Sequence, residues 1–352
     1  MKKSLVAIFL SLAMILTACS SGQKNSSNKE ENKENKEDKK VVYTSIYPIY
    51  DFTKKIAGDK LDVKLLVPNG SEPHGYELSS DDVKNIGEGN LFIYNGAGLE
   101  SFIDKLQETL KGKVEFCEAS QGVELMEGHH HHHDDEEEHD EEDHDHDHEH
   151  EGEDHNHEHE GENHDHEHEG EEHDHEHEGG MDPHVWISPK NAKIEMQNIC
   201  QALIKLDSEN ETYYKENLEN YLKELDALDN EFKTDLEGLE NREIVVSHQA
   251  FGYLCRDYNL KQIAIEGINA ESEPDAKTIA NIIDLVKNKG IKVIFSEELI
   301  DPKVAETIAK ETGAKVLTLS PLEGLSEEQV KNQDDYFSIM KANLSNLLEA
   351  LK

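Results

Sequence analysis

The sequence predicts an α/β protein of two βα lobes, each built on a parallel sheet, joined by a long helical spine. Three observations lead there: short β-branched runs alternate with helical patterns over 41–117, the alternation returns over 243–351, and between them 191–235 contains neither Gly nor Pro. Parallel strands need a crossover between them, and a helix supplies one while covering a face of the sheet, so alternation of this kind reads as a parallel sheet with helices packed on it.

The first lobe opens with a strand at 40–46, rich in Val41, Val42, Thr44 and Ile46, followed by Tyr47-Pro48 and a helix over 51–57. A second strand follows at 61–67. Ser79-Ser80-Asp81-Asp82 is a helix start, because a serine side chain can accept from the free amides of a first turn. A strand at 91–96, a helix at 100–110 and a strand at 114–117 complete the lobe. Over 191–235, Ile194, Ile199, Leu203, Ile204, Tyr213, Leu218, Tyr221, Leu222, Leu225 and Leu228 recur at helical spacing and predict one very long helix or two end to end. At 1.5 Å per residue about 40 residues reach about 60 Å, longer than a small lobe, so this element is expected to run alongside both. The second series reads strand 243–247, helix 250–257, strand 262–266, helix 274–288, strand 291–295, helix 302–312, strand 315–319 and terminal helix 334–351.

Ahead of the first lobe, Lys2 and Lys3 precede an apolar run over 5–16 and then Thr17-Ala18-Cys19, the order of a secretion signal. The run is too short to span a bilayer comfortably. Leu16-Thr17-Ala18-Cys19 resembles the lipobox of bacterial lipoproteins, which implies cleavage before Cys19 and lipidation of its thiol. Residues 20–40 offer no apolar side chain able to seed a core and are expected to be a disordered tether. The expected organisation is a signal peptide at 1–18, the tether at 19–40, the first lobe at 41–128, a flexible loop at 129–180, the end of that lobe with the linking helix at 181–240, and the second lobe at 241–352.

With Cys19 assigned to a lipid, Cys117, Cys200 and Cys255 are an odd set that forms no disulfide framework. Their surroundings suit small buried hydrophobes, with a Cys200–Cys255 bridge as the alternative. The net charge is −43, and residues 129–178 hold 26 Asp and Glu with no Lys or Arg, so setting them aside leaves −17. Nucleic acid is excluded as a partner on that balance, since phosphate contacts need clustered Lys and Arg.

Of 22 histidines, 19 lie between His129 and His177. They include the run His129, His130, His131, His132 and His133, and a nine-residue repeat that starts at His155, His164 and His173. A segment built almost entirely from His, Asp, Glu and Gly cannot bury a core and reads as a flexible loop. Imidazole suits Zn²⁺, Cu²⁺ and Ni²⁺, so the loop is expected to bind such metals weakly; the bland alternative is a solvated acidic linker. Three histidines lie elsewhere. His74 sits in Ser71-Glu72-Pro73-His74-Gly75-Tyr76-Glu77, His184 in Met181-Asp182-Pro183-His184-Val185-Trp186, and His248 follows Val245-Val246-Ser247 at the carboxyl end of a strand, where open α/β sheets take ligands. A lone histidine in a turn is usually a surface residue, but three at strand or loop ends beside such a tract point to metal ligation. Trp186 reads as core.

Pro73-His74-Gly75-Tyr76-Glu77, Asp182-Pro183-His184-Val185-Trp186, Ser247-His248-Gln249-Ala250-Phe251-Gly252-Tyr253 and the loop after Leu319 resemble the motifs of the zinc-specific metal-binding proteins of bacterial ABC importers, the ZnuA/AdcA-like family. The resemblance runs from 41 to 352. It implies two α/β lobes bridged by a long helix, a metal site in the cleft between them, and a monomer that captures Zn²⁺ and passes it to an importer permease. With the lipid anchor, the protein is placed on the outer face of the cell membrane, or in the periplasm if the source has an outer membrane.

Carried over by position, the ligands are His74, His184 and His248. The fourth is a carboxylate from the last βα loop or a water, and Ser320-Pro321-Leu322-Glu323-Gly324 resembles the glutamate form, so Glu323 is expected. Glu297 and Glu298 compete for the role, and Glu72 lies one residue further from His74 than the glutamate some relatives place beside that histidine. Three imidazoles and a carboxylate suit tetrahedral Zn²⁺ with bonds of about 2.0–2.2 Å, whereas Mn²⁺ favours more carboxylates. Asp182 and Glu77 are candidates to accept from a ligating imidazole's second N–H; Asp182 alternatively only starts a turn with Pro183. No enzyme is expected, because a zinc hydrolase needs a general base beside a metal-bound water and no HExxH motif stands outside the loop. A storage or cell adhesion protein would retain the loop and make the cleft incidental.

Overall fold

The computed structural model describes residues 39–128, 180–268 and 274–352. Cys19, the tether up to residue 38 and the loop histidines His129, His130, His131, His132, His133, His155, His164 and His173 lie outside them. The chain runs β1 (Val41–Thr44), α1 (Tyr47–Ala57), β2 (Asp62–Leu65), α2 (Ser80–Gly87), β3 (Leu91–Tyr94), α3 (Ile103–Thr109), β4 (Glu115–Glu118), α4 (Pro189–Leu206) and α5 (Glu211–Leu236). It continues through β5 (Glu243–Val246), α6 (Gly252–Tyr258), β6 (Lys261–Ala264), α7 (Ala276–Lys289), β7 (Val293–Ser296), α8 (Lys303–Thr312), β8 (Lys315–Thr318), α9 (Glu327–Asn332) and α10 (Tyr336–Leu351).

Two four-stranded sheets result, ordered β2-β1-β3-β4 and β6-β5-β7-β8, with every pairing parallel. The central strands are apolar on both faces, as parallel strands covered by helices must be: Leu91, Phe92 and Ile93 are buried together, as are Val293, Ile294 and Phe295. In each sheet the second strand lies on one side of the first and the third on the other, so the segments leaving the first and third strands part at their carboxyl ends. Open α/β sheets bind ligands in that crevice. One large core runs between the sheets, from Val42 and Phe52 through Trp186, Tyr214 and Leu228 to Tyr253, Tyr336 and Leu347. Smaller clusters lie on the opposite faces, around Ile86, Phe92 and Leu106 in one sheet and around Val245, Ile282, Ile294 and Ile308 in the other.

The long helical spine is present as α5, but the expectation that 191–235 forms one very long helix or two end to end is corrected. α4 stops at Leu206, a 3-10 turn spans Ser208–Asn210, and α5 folds back so that Lys193 pairs with Asp226. Asp207 makes the reversal: its carboxylate accepts from Asn210 Nδ2 at 2.7 Å and from Tyr214 Oη at 2.5 Å. Only α5, with 26 residues and so roughly 39 Å at 1.5 Å per residue, runs alongside both sheets. Near one end Asn217 Nδ2 donates to the Ile56 carbonyl of α1, and near the other Phe232 stacks on Tyr258 of α6 while Tyr258 Oη donates to Asp229.

Local chemistry explains the remaining boundaries. α1 starts at Tyr47, earlier than expected, because Pro48 fits a first turn whose amides need no intrahelical partner. α2 is closed by a capping box between Ser79 and Asp82. α3 starts late because the Glu100 carboxylate is engaged by the backbone amides of Asn95 and Gly96, at 2.8 and 3.0 Å. α9 was not expected, although Ser326 and Gln329 form a capping box at its start. Cys117, Cys200 and Cys255 are all free thiols, so there is no Cys200–Cys255 bridge. No described helix is long and apolar enough to cross a membrane.

Candidate metal centre

His248 leaves β5 in the crevice of the second sheet, where Glu297 leaves β7 beside it. The Glu297 carboxylate accepts from the His248 backbone amide at 3.1 Å, and both its oxygens lie 2.8 Å from His248 Nδ1. That leaves Nε2 as the free ligand atom. The crevice of the first sheet holds the Asp182-Pro183-His184 segment: Asn95, just past β3, donates through Nδ2 to the Pro183 carbonyl at 3.0 Å. Asp182 Oδ1 then accepts from the His184 amide at 3.0 Å and lies 2.8 Å from His184 Nδ1, again turning Nε2 outward. His74 stands on the loop after β2, its amide donating to Glu72 Oε1 at 3.1 Å.

Glu323 arrives from the loop after β8. Leu322, fully buried, sits beside it with φ of 61°, a left-handed conformation that costs a branched L-residue roughly 1–2 kcal/mol. The loop is held on several sides. Ser320 and Asn343 exchange two hydrogen bonds at 2.9 and 2.8 Å, and the Leu322 amide donates to Ser320 Oγ at 3.2 Å. Trp186 Nε1 donates to the Pro321 carbonyl at 2.7 Å. These bonds hold the loop that carries Glu323 in place beside the cleft.

The four side chains meet. His74 Nε2 lies 3.1 Å from His184 Nε2 and 2.9 Å from Glu323 Oε1, and His184 Nε2 is 2.9 Å from the same oxygen. His248 Nε2 is 3.3 Å from His184 Nε2 and 3.5 Å from Glu323 Oε1. One ligand atom from each of the four residues falls within 4.8 Å of every other. A tetrahedron of atoms about 2.0–2.1 Å from a central ion has edges of about 3.3 Å, so these donors stand close to the spacing Zn²⁺ requires. His184 and His248 are fully buried, Glu323 is 3% exposed, and His74 closes the outer side.

The electrostatics suit a cation. Burial works against a charged Glu323, but the His248 charge and hydrogen bonds from all three imidazoles outweigh it and hold this carboxyl well below its usual range. Burial likewise opposes charge on His248 and His184, yet the Glu297 and Glu323 charges raise the former well above its ordinary value, and bonds to Asp182 and Glu323 raise the latter. At His74 burial wins and the pKa falls. Glu72 is pushed up to about 7 by burial and by the Glu323 charge.

The expected residues divide as follows. His74, His184, His248 and Glu323 come together, and Asp182 Oδ1 lies 2.8 Å from His184 Nδ1. Glu297 is the corresponding acceptor for His248 rather than a fourth donor. Glu298 turns away to Ser320 Oγ and Gln329 Nε2. Glu77 makes no bond to a site imidazole: the turn closed by the Tyr76 amide on the Pro73 carbonyl, 3.1 Å, sends it to solvent, and Glu72 holds the His74 backbone instead. Trp186 is fully buried, as expected, with its ring 5.4 Å from that of His184.

Known proteins resemble this chain over nearly its whole length. A family model described as zinc-uptake complex component A, periplasmic (ZnuA) matches residues 42–350. The chain is 37% identical over 352 residues to the high-affinity zinc uptake system protein ZnuA of Bacillus subtilis strain 168, covering 100% of this chain and 99% of that protein. It is 34% identical over 348 residues to the zinc-binding lipoprotein AdcA of Streptococcus pneumoniae serotype 4, covering 99% of this chain but only 60% of that longer protein. Among solved structures, the Zn(II)-bound ZnuA-like domain of Streptococcus pneumoniae AdcA superposes with a TM-score of 0.68 at 30% identity, covering 89% of this chain and 99% of the other. The metal-dependent lipoprotein YcdH of Bacillus subtilis gives 0.69 at 35% identity with the same coverage.

Proposed function

We propose that this chain, which belongs to the ZnuA family, captures Zn²⁺ outside the cell membrane and delivers it to the permease of an ABC importer. The observation that carries the reading is the convergence of His74, His184, His248 and Glu323 from loops of both sheets. Zinc is the cargo here. Four protein donors complete a tetrahedral sphere, whereas a hydrolytic zinc site keeps one position open for water, so the geometry favours holding an ion over reacting on it. Three imidazoles and one carboxylate favour Zn²⁺ over oxygen-seeking Mn²⁺. Asp182 and Glu297 fix the tautomers of His184 and His248, which raises ligand basicity.

The same reading assigns the rest of the chain. Residues 1–18 direct export, Cys19 carries the lipid and 19–40 tether the protein as a monomer to the outer face of the membrane. The lobes span 41–128 with 181–240, and 241–352, and the histidines of 129–180 bind metal weakly and feed the cleft. Competition with a chelator of known zinc affinity tests it. The full chain is expected to bind one zinc tightly, the chain lacking 129–179 to keep that site while losing weak ones, and His184→Ala to weaken the tight site at least 100-fold. Retention of tight binding in His184→Ala, or its loss on deleting the insert, contradicts the assignment.

A further inference from the structure

The histidine-rich insert leaves and rejoins the fold at one point. The Gly128 amide donates to the Gly180 carbonyl at 2.9 Å, the Asp182 amide donates to the Met126 carbonyl at 2.8 Å, and Glu127 bridges Met181 in antiparallel fashion. This two-stranded neck ends at Asp182, the residue that orients His184. Tyr253, on α6 of the other half, reaches across and grips both strands. Its hydroxyl accepts from the Met126 amide at 3.1 Å and donates to the Asp182 carbonyl at 2.7 Å, with the ring fully buried. Arg256, one turn on, lies over that ring at 5.2 Å.

A second contact fixes the same carboxylate from the side. A Cβ at Gly252 would stand 2.6 Å from Asp182 Oδ2, so the residue preceding Tyr253 must lack a side chain for Asp182 to sit where it does. Gly128 is equally constrained, since a Cβ there would collide with Ile268 of the second half and with the Gly180 carbonyl. The neck, the Asp182 carboxylate and α6 are thus packed to fit one another, and among the described residues Tyr253 Oη bonds both strands of the neck to α6 through one atom.

We propose that Tyr253 is a positioning residue that couples closure of the insert's neck to the metal site, through Asp182 and His184. With the hydroxyl in place, Met126 and Asp182 are pinned together and the Asp182 carboxylate is held against His184 Nδ1. Without it, two backbone groups lose their shared partner and the carboxylate gains freedom to leave the imidazole. Coupling of this kind is reciprocal: if a closed neck tightens zinc binding, zinc closes the neck by the same factor. The proposal rests on the zinc-capture reading above, because His184 must be a ligand for its orientation to matter.

The test uses the full chain, zinc as the probe and Tyr253→Phe, which keeps the ring. Loss of a group that orients a ligating histidine typically lowers metal affinity about 10- to 100-fold, and a fall of that size is expected by chelator competition. Hydrogen exchange supplies the second readout: zinc should slow exchange of the Gly128 amide in the wild type, and this protection should be lost in Tyr253→Phe. Tyr258→Phe is the control, since it removes another buried hydroxyl of α6 whose partner, Asp229, lies on α5; both readouts should stay within about twofold of wild type. If Tyr253→Phe does not fold, Gly252→Ala, which crowds Asp182 Oδ2, is expected to lower affinity about 10- to 100-fold and to weaken zinc protection of the Gly128 amide, and wild-type protection of that amide despite the lowered affinity overturns the proposal. Wild-type affinity in Tyr253→Phe, or a loss no greater than in Tyr258→Phe, overturns the proposal. Failure of the underlying reading looks different: the wild type itself would then show no tight site sensitive to His184→Ala.

Discussion

At the scale of single residues, the paired acids decide how the imidazoles behave. His184 and His248 each give Nδ1 to a carboxylate and keep Nε2 for the centre, and both pKa values rise despite complete burial. Zinc and protons compete for the same lone pairs. Zinc binds the deprotonated ring, so a raised pKa moves the competition upward: affinity should begin to fall above the ordinary imidazole value of about 6.5 and steepen below it. Chelator competition between pH 8 and 5 measures this, and a flat profile contradicts the electrostatic account. Glu297→Gln removes the charge while leaving an acceptor, and is expected to weaken zinc by about 10- to 100-fold. It should also bring the pH profile down towards that of ordinary histidines. The cluster of His74, His184, His248 and Glu323 is legible in the sequence through the motifs that resemble those of the ZnuA/AdcA-like family. The role of Glu297 is not, since nothing in the order of residues says that β5 and β7 lie side by side. Glu77 misleads for the converse reason: it is near His74 in sequence, and one turn carries it away.

At the scale of elements, strands and helices are legible from periodicity and caps, and their mutual packing is not. The stretch over 191–235 has helical spacing throughout, yet the polar run Asp207 to Asn210 reverses it by side-chain bonds that no pattern of apolar residues reports. Length alone therefore overstates the spine. The loop after β8 has a built-in reporter. Trp186 is the single tryptophan, its Nε1 donates to Pro321, and its ring lies beside His184. An ion seated between His184 and Glu323 changes the charge and spacing of the groups beside that ring, so zinc should change tryptophan emission in a saturable 1:1 titration, and His248→Ala should abolish the change at the same zinc concentration. An unchanged spectrum on saturation would mean that the loop and the imidazole do not respond to the ion.

At the scale of the whole molecule, two sheets of equivalent strand order each contribute side chains to the cluster of His74, His184, His248 and Glu323, while α5 packs along both. Binding an ion between them ties the halves together without requiring α5 to bend. A ligand that binds only the folded form stabilises it by about 4 kcal/mol at a thousandfold excess over its dissociation constant. Thermal unfolding should accordingly shift upward with zinc in the wild type and by less than half as much in His184→Ala at the same zinc concentration. The central claim is that one ion is held by four side chains drawn from both halves. Anomalous diffraction at the zinc edge, on crystals of the full chain with one equivalent of zinc, tests it most directly. The account expects a single strong peak bonded to Nε2 of His74, His184 and His248 and to the Glu323 carboxylate at about 2.0–2.2 Å. A peak elsewhere, or one that reaches ligands of only one half, would contradict it.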